Sequence, residues 1–99
     1  TRQSLGGVIV LMDVRHPLKE IDQQILGWCH AADLLTHVLL TKSDKLKRGP
    51  AKTALLQTRK ALQSLHPEAT VQLFSAHTRD GAEELQRLLD EWLGLAAMP

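Results

Sequence analysis

Cysteine is almost absent from this sequence. Cys29 stands alone, so no disulfide can close within the chain and a disulfide-stapled scaffold is excluded. No apolar run approaches the roughly 20 residues that a membrane span requires, and no stretch reads as a signal peptide. Together these absences predict a cytoplasmic protein in a reducing compartment, with no membrane partner. Charge of either sign is not in excess: 12 Lys and Arg stand against 11 Asp and Glu, for a net charge of +1. The five histidines (His16, His30, His37, His66 and His77) have none of the Hx₃H or HExxH spacings of a metal site, so no metal ligand is expected. No serine or cysteine is placed beside an activating base, so no catalytic residue is assigned. A Gly-rich phosphate loop of the form GxxxxGK[ST] is also missing. An initiating Met is missing too; Thr1 as the first residue is compatible with a piece of a longer protein.

The 99 residues are enough for one domain or part of one, and 43% of them are hydrophobic, an ordinary proportion for a soluble α/β chain. Gly7 to Asp13 is a short, nearly continuous apolar run rich in β-branched residues, the pattern of a strand buried on both faces of a parallel sheet. Pro17 then opens a helix ending near Ala31 or Ala32, with Leu18, Ile21, Ile25, Trp28 and Cys29 on the inward face. Thr36 to Leu40 is the second strand, and Gly49-Pro50 punctuates the loop after it. A second helix covers Ala51 to Leu65 with Leu55, Thr58, Leu62 and Leu65 inward, and His66-Pro67 stops it. Thr70 to Phe74 is the third strand. Asp80-Gly81-Ala82-Glu83 reads as a capping box for a last helix that buries Leu85, Leu88, Leu89 and Trp92. Residues 94–99 are expected to fray. The order βαβαβα with short connections predicts an α/β fold, a three-layer α/β/α arrangement around a parallel sheet.

Three loops that follow strand C-termini carry the chemistry: Asp13–Pro17, Thr41–Lys45 and Ser75–Asp80. Ligands of open α/β sheets bind at that edge. Thr41-Lys42-Ser43-Asp44 follows Val38-Leu39-Leu40, and Phe74-Ser75-Ala76 closes the next strand. This pairing suits guanine. The base offers a ring N–H and an exocyclic amine side by side, and one carboxylate can accept both, which adenine cannot match. Asp44 is the expected acceptor. Lys42 would lay its methylene stem over the purine face, and Thr41 would tie its loop to a neighbour. The Ala76 N–H would donate to the guanine carbonyl, and Ser75 would fix the loop shape.

Two further clusters stand out. Asp13, Arg15 and His16 sit at the end of the first strand, where they are read as a loop-ordering group near the pocket. Lys45, Lys47, Arg48, Lys52, Arg59 and Lys60 fall in a stretch without an acid, while Asp80, Glu83, Glu84, Asp90 and Glu91 follow later. A basic face of this kind suits RNA phosphates, although a solvated helix surface has the same composition.

Leu5-Gly6-Gly7, Leu11-Met12-Asp13-Val14-Arg15-His16-Pro17-Leu18-Lys19-Glu20-Ile21-Asp22, Leu40-Thr41-Lys42-Ser43-Asp44-Lys45-Leu46 and Phe74-Ser75-Ala76 resemble the C-terminal half of the EngB (YihA/YsxC) GTP-binding proteins. The Asp-x-Arg-His-Pro-Leu stretch is the most family-specific part. The resemblance implies half of a P-loop GTPase domain over residues 1–99, with the phosphate-loop half upstream. It also implies GTP or GDP with magnesium as cofactors of the complete protein, GTP hydrolysis there, and a role in large ribosomal subunit assembly, on that subunit or its rRNA, that is needed for cell division and septation. It carries Thr41, Lys42, Asp44 and the Phe74-Ser75-Ala76 segment onto guanine. The chain alone is expected to be inactive, and to self-associate through the bare edge of strand 7–13. The alternative is a non-enzymatic α/β module that binds RNA or protein through the basic 45–60 face.

Overall fold

The computed structural model describes residues 7–97, so the Leu5-Gly6 part of the resemblance and residues 98–99 of the tail lie outside it. Three strands alternate with three helices: β1 Gly7–Asp13, α1 Glu20–Ala31, β2 Leu35–Thr41, α2 Arg48–Leu65, β3 Thr70–Leu73 and α3 Ala82–Ala97, with a 3-10 turn at Ser43–Lys45. The strands pair in the order β1-β2-β3, all parallel. Gly7 is opposite Leu35, Asp13 opposite Thr41, and Leu40 opposite Leu73. This register brings Asp13, Thr41 and the end of β3 to one edge of the sheet.

One face of the sheet holds the main core. Val10, Met12, Val38, Leu40 and Val71 pack with Val14, just past β1, and with Leu26 of α1 and Leu62 of α2. Leu26, Val38 and Leu40 are wholly enclosed, each contributing about 1.5–3 kcal/mol through removal from water. The other face carries Gly7, His37 and Gln72 beneath α3. A Cβ on Gly7 would lie 2.3 Å from the ring of Trp92, so the bare backbone is what lets that indole seat on the strand. His37 and Gln72 are buried polar residues that satisfy each other. His37 Nε2 lies 2.8 Å from Gln72 Oε1, and its Nδ1 meets the Thr70 hydroxyl. Burial lowers the imidazole pKa, and the Gln72 hydrogen bond opposes that shift. The Gln72 amide donates to the Leu73 and Gly81 carbonyls at 3.0 and 2.9 Å, which ties β3 to the start of α3.

Several elements depart from the sequence reading. α1 does not open at Pro17. Leu18 takes a left-handed φ of 60°, and the helix begins only at Glu20. There the Asp22 carboxylate accepts the Lys19 N–H at 3.0 Å, one of the donors left open by a helix start. Trp28 is 67% exposed and Ile21 54%, whereas Leu26 takes the inward position beside Cys29. Gly49-Pro50 does not separate loop from helix but lies in the first turn of α2. The first ladder bond there runs from Ala51 N–H to the Lys47 carbonyl (3.0 Å), so Pro50 precedes the point at which its missing donor would matter. Asp80 does not cap α3. The Gly81 carbonyl accepts the Leu85 N–H at 3.0 Å, and the Asp80 carboxylate instead lies 3.5 Å from the Ser43 hydroxyl. Leu85, Leu88, Leu89 and Trp92 are half-buried rather than enclosed, and α3 continues past Gly94 to Ala97. Among the described residues β1 pairs on one side only, and Leu11 upon it is 63% exposed.

Candidate functional site

The C-terminal ends of the strands enclose a cleft of about 450 Å³ lined by Thr41, Lys42, Asp44, Lys45, Phe74, Ala76 and His77. Its walls come from two loops held together by backbone bonds. Phe74 N–H donates to the Leu40 carbonyl at 2.9 Å, and Ser43 N–H donates to the Phe74 carbonyl at 3.1 Å. Thr41 is anchored on its other side: its hydroxyl donates to the Met12 carbonyl (3.2 Å), and its carbonyl accepts the Val14 N–H (3.0 Å). Lys42 then takes a left-handed conformation with φ of 60°, which turns the chain sharply into the 3-10 turn. A non-glycine residue held there marks a loop whose surroundings fix its shape.

Asp44 and Ser75 form the centre of the site. The Ser75 hydroxyl, fully buried, donates to Asp44 Oδ1 at 2.7 Å and accepts the Thr78 N–H at 3.2 Å. The Ser75 N–H in turn donates to the Asp80 carbonyl at 2.9 Å. The serine therefore sets the second loop and aims the carboxylate of the first. Its hydrogen bond lowers the Asp44 pKa, helped by the nearby charges of Lys45 and His77. Asp44 Oδ2 and the Ala76 N–H make no hydrogen bond among the described residues, and Asp44 and Ala76 both line the cleft.

Asp13 and Arg15 form a chelate at the neighbouring strand end. Asp13 Oδ1 accepts the Arg15 N–H at 2.9 Å and Nε–H at 3.1 Å, while Oδ2 accepts the terminal nitrogen at 2.9 Å. Arg15 holds the Asp13 carboxyl well below the usual carboxylate range, and Asp13 raises the Arg15 pKa. The Lys42 ammonium approaches Asp13 Oδ2 at 3.8 Å. His16 stays outside this group: only its backbone N–H takes part, donating to the Asp13 carbonyl at 3.0 Å, and the ring is exposed.

The sequence-assigned guanine residues Thr41, Lys42, Asp44, Phe74 and Ala76 thus line one cleft, with Ser75 behind it. Ser43 is buried and acts through its backbone. Lys45 and His77 also line the cleft. The sequence reads Lys45 as part of the basic face and gives His77 no site role; the signal for both is their place in the Thr41–Lys45 and Ser75–Asp80 loops. Of the basic residues, Lys47 and Arg48 stand at the start of α2, and Arg48, Lys52 and Arg59 recur at helical spacing along one exposed flank, with Lys60 turned away from them. A larger cavity of about 1060 Å³, lined by His37, Arg59, Thr70, Glu84, Arg87 and Leu88 among others, opens beside β3 and α3. None of the motif residues reaches it. The smaller cleft is the candidate site because the strand ends and the loop donors converge there.

No protein-family model matches the chain. Individual relatives do. The chain is 50% identical over 92 residues to a "Probable GTP-binding protein EngB" of Hydrogenovibrio crunogenus, covering 93% of this chain and 43% of that protein. It is 49% identical over 92 residues to the protein of the same name in Nitrosomonas eutropha (93% and 41%). For Pseudoalteromonas atlantica the identity is 46% over 95 residues (96% and 46%). The chain therefore spans less than half the length of these curated relatives, and the matches fall in their C-terminal part. Among solved structures, translation elongation factor SelB of Methanococcus maripaludis in its apo form superposes with a TM-score of 0.81 at 22% identity, over 91% of this chain and 20% of SelB. SelB in complex with the GTP analogue GppNHp gives 0.74 at 24% identity, over 87% and 20%. At this identity the likeness establishes an α/β GTPase-domain fold.

Proposed function

The chain belongs to the EngB family of GTP-binding proteins, and we propose that it carries the guanine-reading part of a GTPase domain. The observation that carries this reading is the cleft lined by Asp44 and Ala76, whose Oδ2 and N–H have no hydrogen-bond partner among the described residues. An ionised carboxylate accepts the ring N–H and the amine of guanine, and a backbone N–H donates to its carbonyl oxygen. Adenine reverses the polarity of this edge and would leave the Asp44 carboxylate and the Ala76 N–H facing the base without partners, which is a basis for discrimination. Lys42 and Phe74 flank the flat heterocycle.

The rest of the family activity attaches to a longer protein. There GTP or GDP with magnesium would complete the site, GTP would be hydrolysed, and the protein would act on the large ribosomal subunit or its rRNA in assembly, supporting division. The described residues contain no group of three His, Cys, Asp or Glu that could hold a metal ion. The 99-residue chain by itself would bind guanine nucleotide weakly, because the phosphate contacts that dominate such affinities have no counterpart in it. The free edge of β1 suits a further strand, or a second copy of the chain in its place.

A titration of the isotopically labelled chain with GDP and ADP at millimolar concentration tests the base reading. GDP should move the amide signals of Lys42, Asp44, Ala76 and His77 saturably, and ADP should not. Asp44→Asn should abolish the difference; equal responses to both nucleotides would refute the assignment. A second reading rests on the exposed flank of Arg48, Lys52 and Arg59, none of which is ion-paired among the described residues. It predicts RNA binding whose affinity falls steeply with salt and ignores guanine nucleotide.

A further inference from the structure

We infer that Asp13 is a positioning residue for the cleft, acting by drawing the Lys42 ammonium away from Asp44. This rests on the guanine reading of the cleft. Lys42 and Asp44 are two residues apart, line the same cleft, and carry opposite charges. An exposed lysine in that place can fold onto the carboxylate and occupy the oxygens that guanine needs. It does not do so. Among the described residues Asp44 forms no ion pair, with Lys42 or with Lys45, and the Lys42 ammonium lies instead 3.8 Å from Asp13 Oδ2.

Three features make Asp13 an effective anchor. The β1–β2 register puts it directly opposite Thr41, one residue before Lys42. The Arg15 chelate fixes the rotamer of the carboxylate and keeps it ionised. The left-handed turn at Lys42 and the bond from Thr41 to the Met12 carbonyl hold the lysine backbone against the end of β1. The lysine, which lines the cleft, thereby has its ammonium drawn from the second strand towards the first and away from Asp44, leaving its methylene stem free to cover a flat base. The separation is that of a solvent-screened pair, so the effect is modest: a two- to five-fold change in affinity is about what exposed ion pairs deliver.

A double-mutant cycle on the full 99-residue chain tests this, with GDP affinity read by NMR titration at low and high salt. Asp13→Asn should weaken GDP binding about two- to five-fold at low salt and less at high salt. In the Lys42→Met background, which keeps the stem and removes the ammonium, the same Asp13→Asn change should have no effect. An equal loss in both backgrounds would overturn the proposal, since Asp13 would then act only through the strand end. Arg15→Met separates the two: a loss matching that of Asp13→Asn but independent of Lys42 assigns the effect to the chelate alone and likewise overturns it. If the unsubstituted chain gives no guanine-selective, saturable shift, the base reading fails and this inference falls with it; selective binding with an additive cycle removes the inference only.

Discussion

Gly81 is the position where the fold and the cleft share one weak point, and Gly81→Ala should be among the most damaging single changes to the chain. The residue has a φ of +82°, a region where any Cβ costs about 1–2 kcal/mol. A Cβ there would stand 2.2 Å from the Leu73 carbonyl oxygen and 2.7 Å from Gln72 Nε2. The first of these is backbone, so relief requires β3 and the start of α3 to separate. That movement would break the Gln72 amide's bonds to the Gly81 and Leu73 carbonyls, in a side chain only 2% exposed that also pairs with His37. Each buried polar group left without a partner costs about 1–3 kcal/mol. Strain and one or two broken bonds together come to about 3–5 kcal/mol, against the roughly 5–15 kcal/mol that holds a domain of this size. Urea unfolding followed by far-UV circular dichroism measures the loss, with Gly27→Ala as the matched control. Gly27 lies within α1, and an added Cβ would meet nothing within 4 Å; the control should gain about 0.5–1 kcal/mol from helix propensity alone. If Gly81→Ala unfolds within about 1 kcal/mol of the parent, the junction between β3 and α3 is not held as described here.

Other expectations can be checked on the same instruments. Ser75→Ala removes the hydroxyl that donates to Asp44 and accepts from Thr78; stability should fall by about 1 kcal/mol and the Asp44 pKa, followed by NMR, should move up towards the ordinary carboxylate value. Leu62→Ala opens a cavity in the main core where Leu62 is 2% exposed and should cost about 2–5 kcal/mol in a urea titration. Acid should destabilise the chain through Asp13 and Asp44. Their folded pKa values lie below the unfolded ones, so their contribution is complete above about pH 4 and is lost as pH falls through the folded values. The urea midpoint should therefore drop steadily below about pH 4, and Asp13→Asn should flatten that slope.

Strand position and parallel pairing were legible because each strand is a short apolar run ended by a polar loop, and only a parallel arrangement brings three such loops to one edge. The cleft residues followed from the same pattern: Thr41 and Phe74 are where the apolar runs stop, so the residues beyond them had to meet. Helix faces were less legible. α1 carries more apolar residues than one face can hold, and periodicity alone could not choose between the stripe with Trp28 and the stripe with Leu26. The choice is made by the sheet beneath, which sequence spacing does not encode. The start of α1 was misplaced for a related reason. Pro17 is compatible with a helix start, but Leu18 after it is left-handed, its carbonyl accepts the Gln23 amide at 2.9 Å, and the helix begins beyond it.

The polar layer under α3 was the least legible feature, and it shows why local pattern reading loses information. His37 and Gln72 sit in strands that are otherwise apolar residues and threonines, and each alone looks like an ordinary exposed position. Register makes them neighbours: His37 is opposite Thr70, two residues before Gln72, so all three share one face. Once paired they can be buried at little cost, because the imidazole and the amide satisfy each other and the spare amide hydrogens go to the Leu73 and Gly81 carbonyls. The same amide holds the segment that ends in α3, and the Ser75 N–H to Asp80 bond closes the loop between them. The second wall of the cleft therefore depends on a polar network on the far side of the sheet from the main core. Perturbing Gln72 or Gly81 should reach Ala76 without touching any residue that lines the cleft.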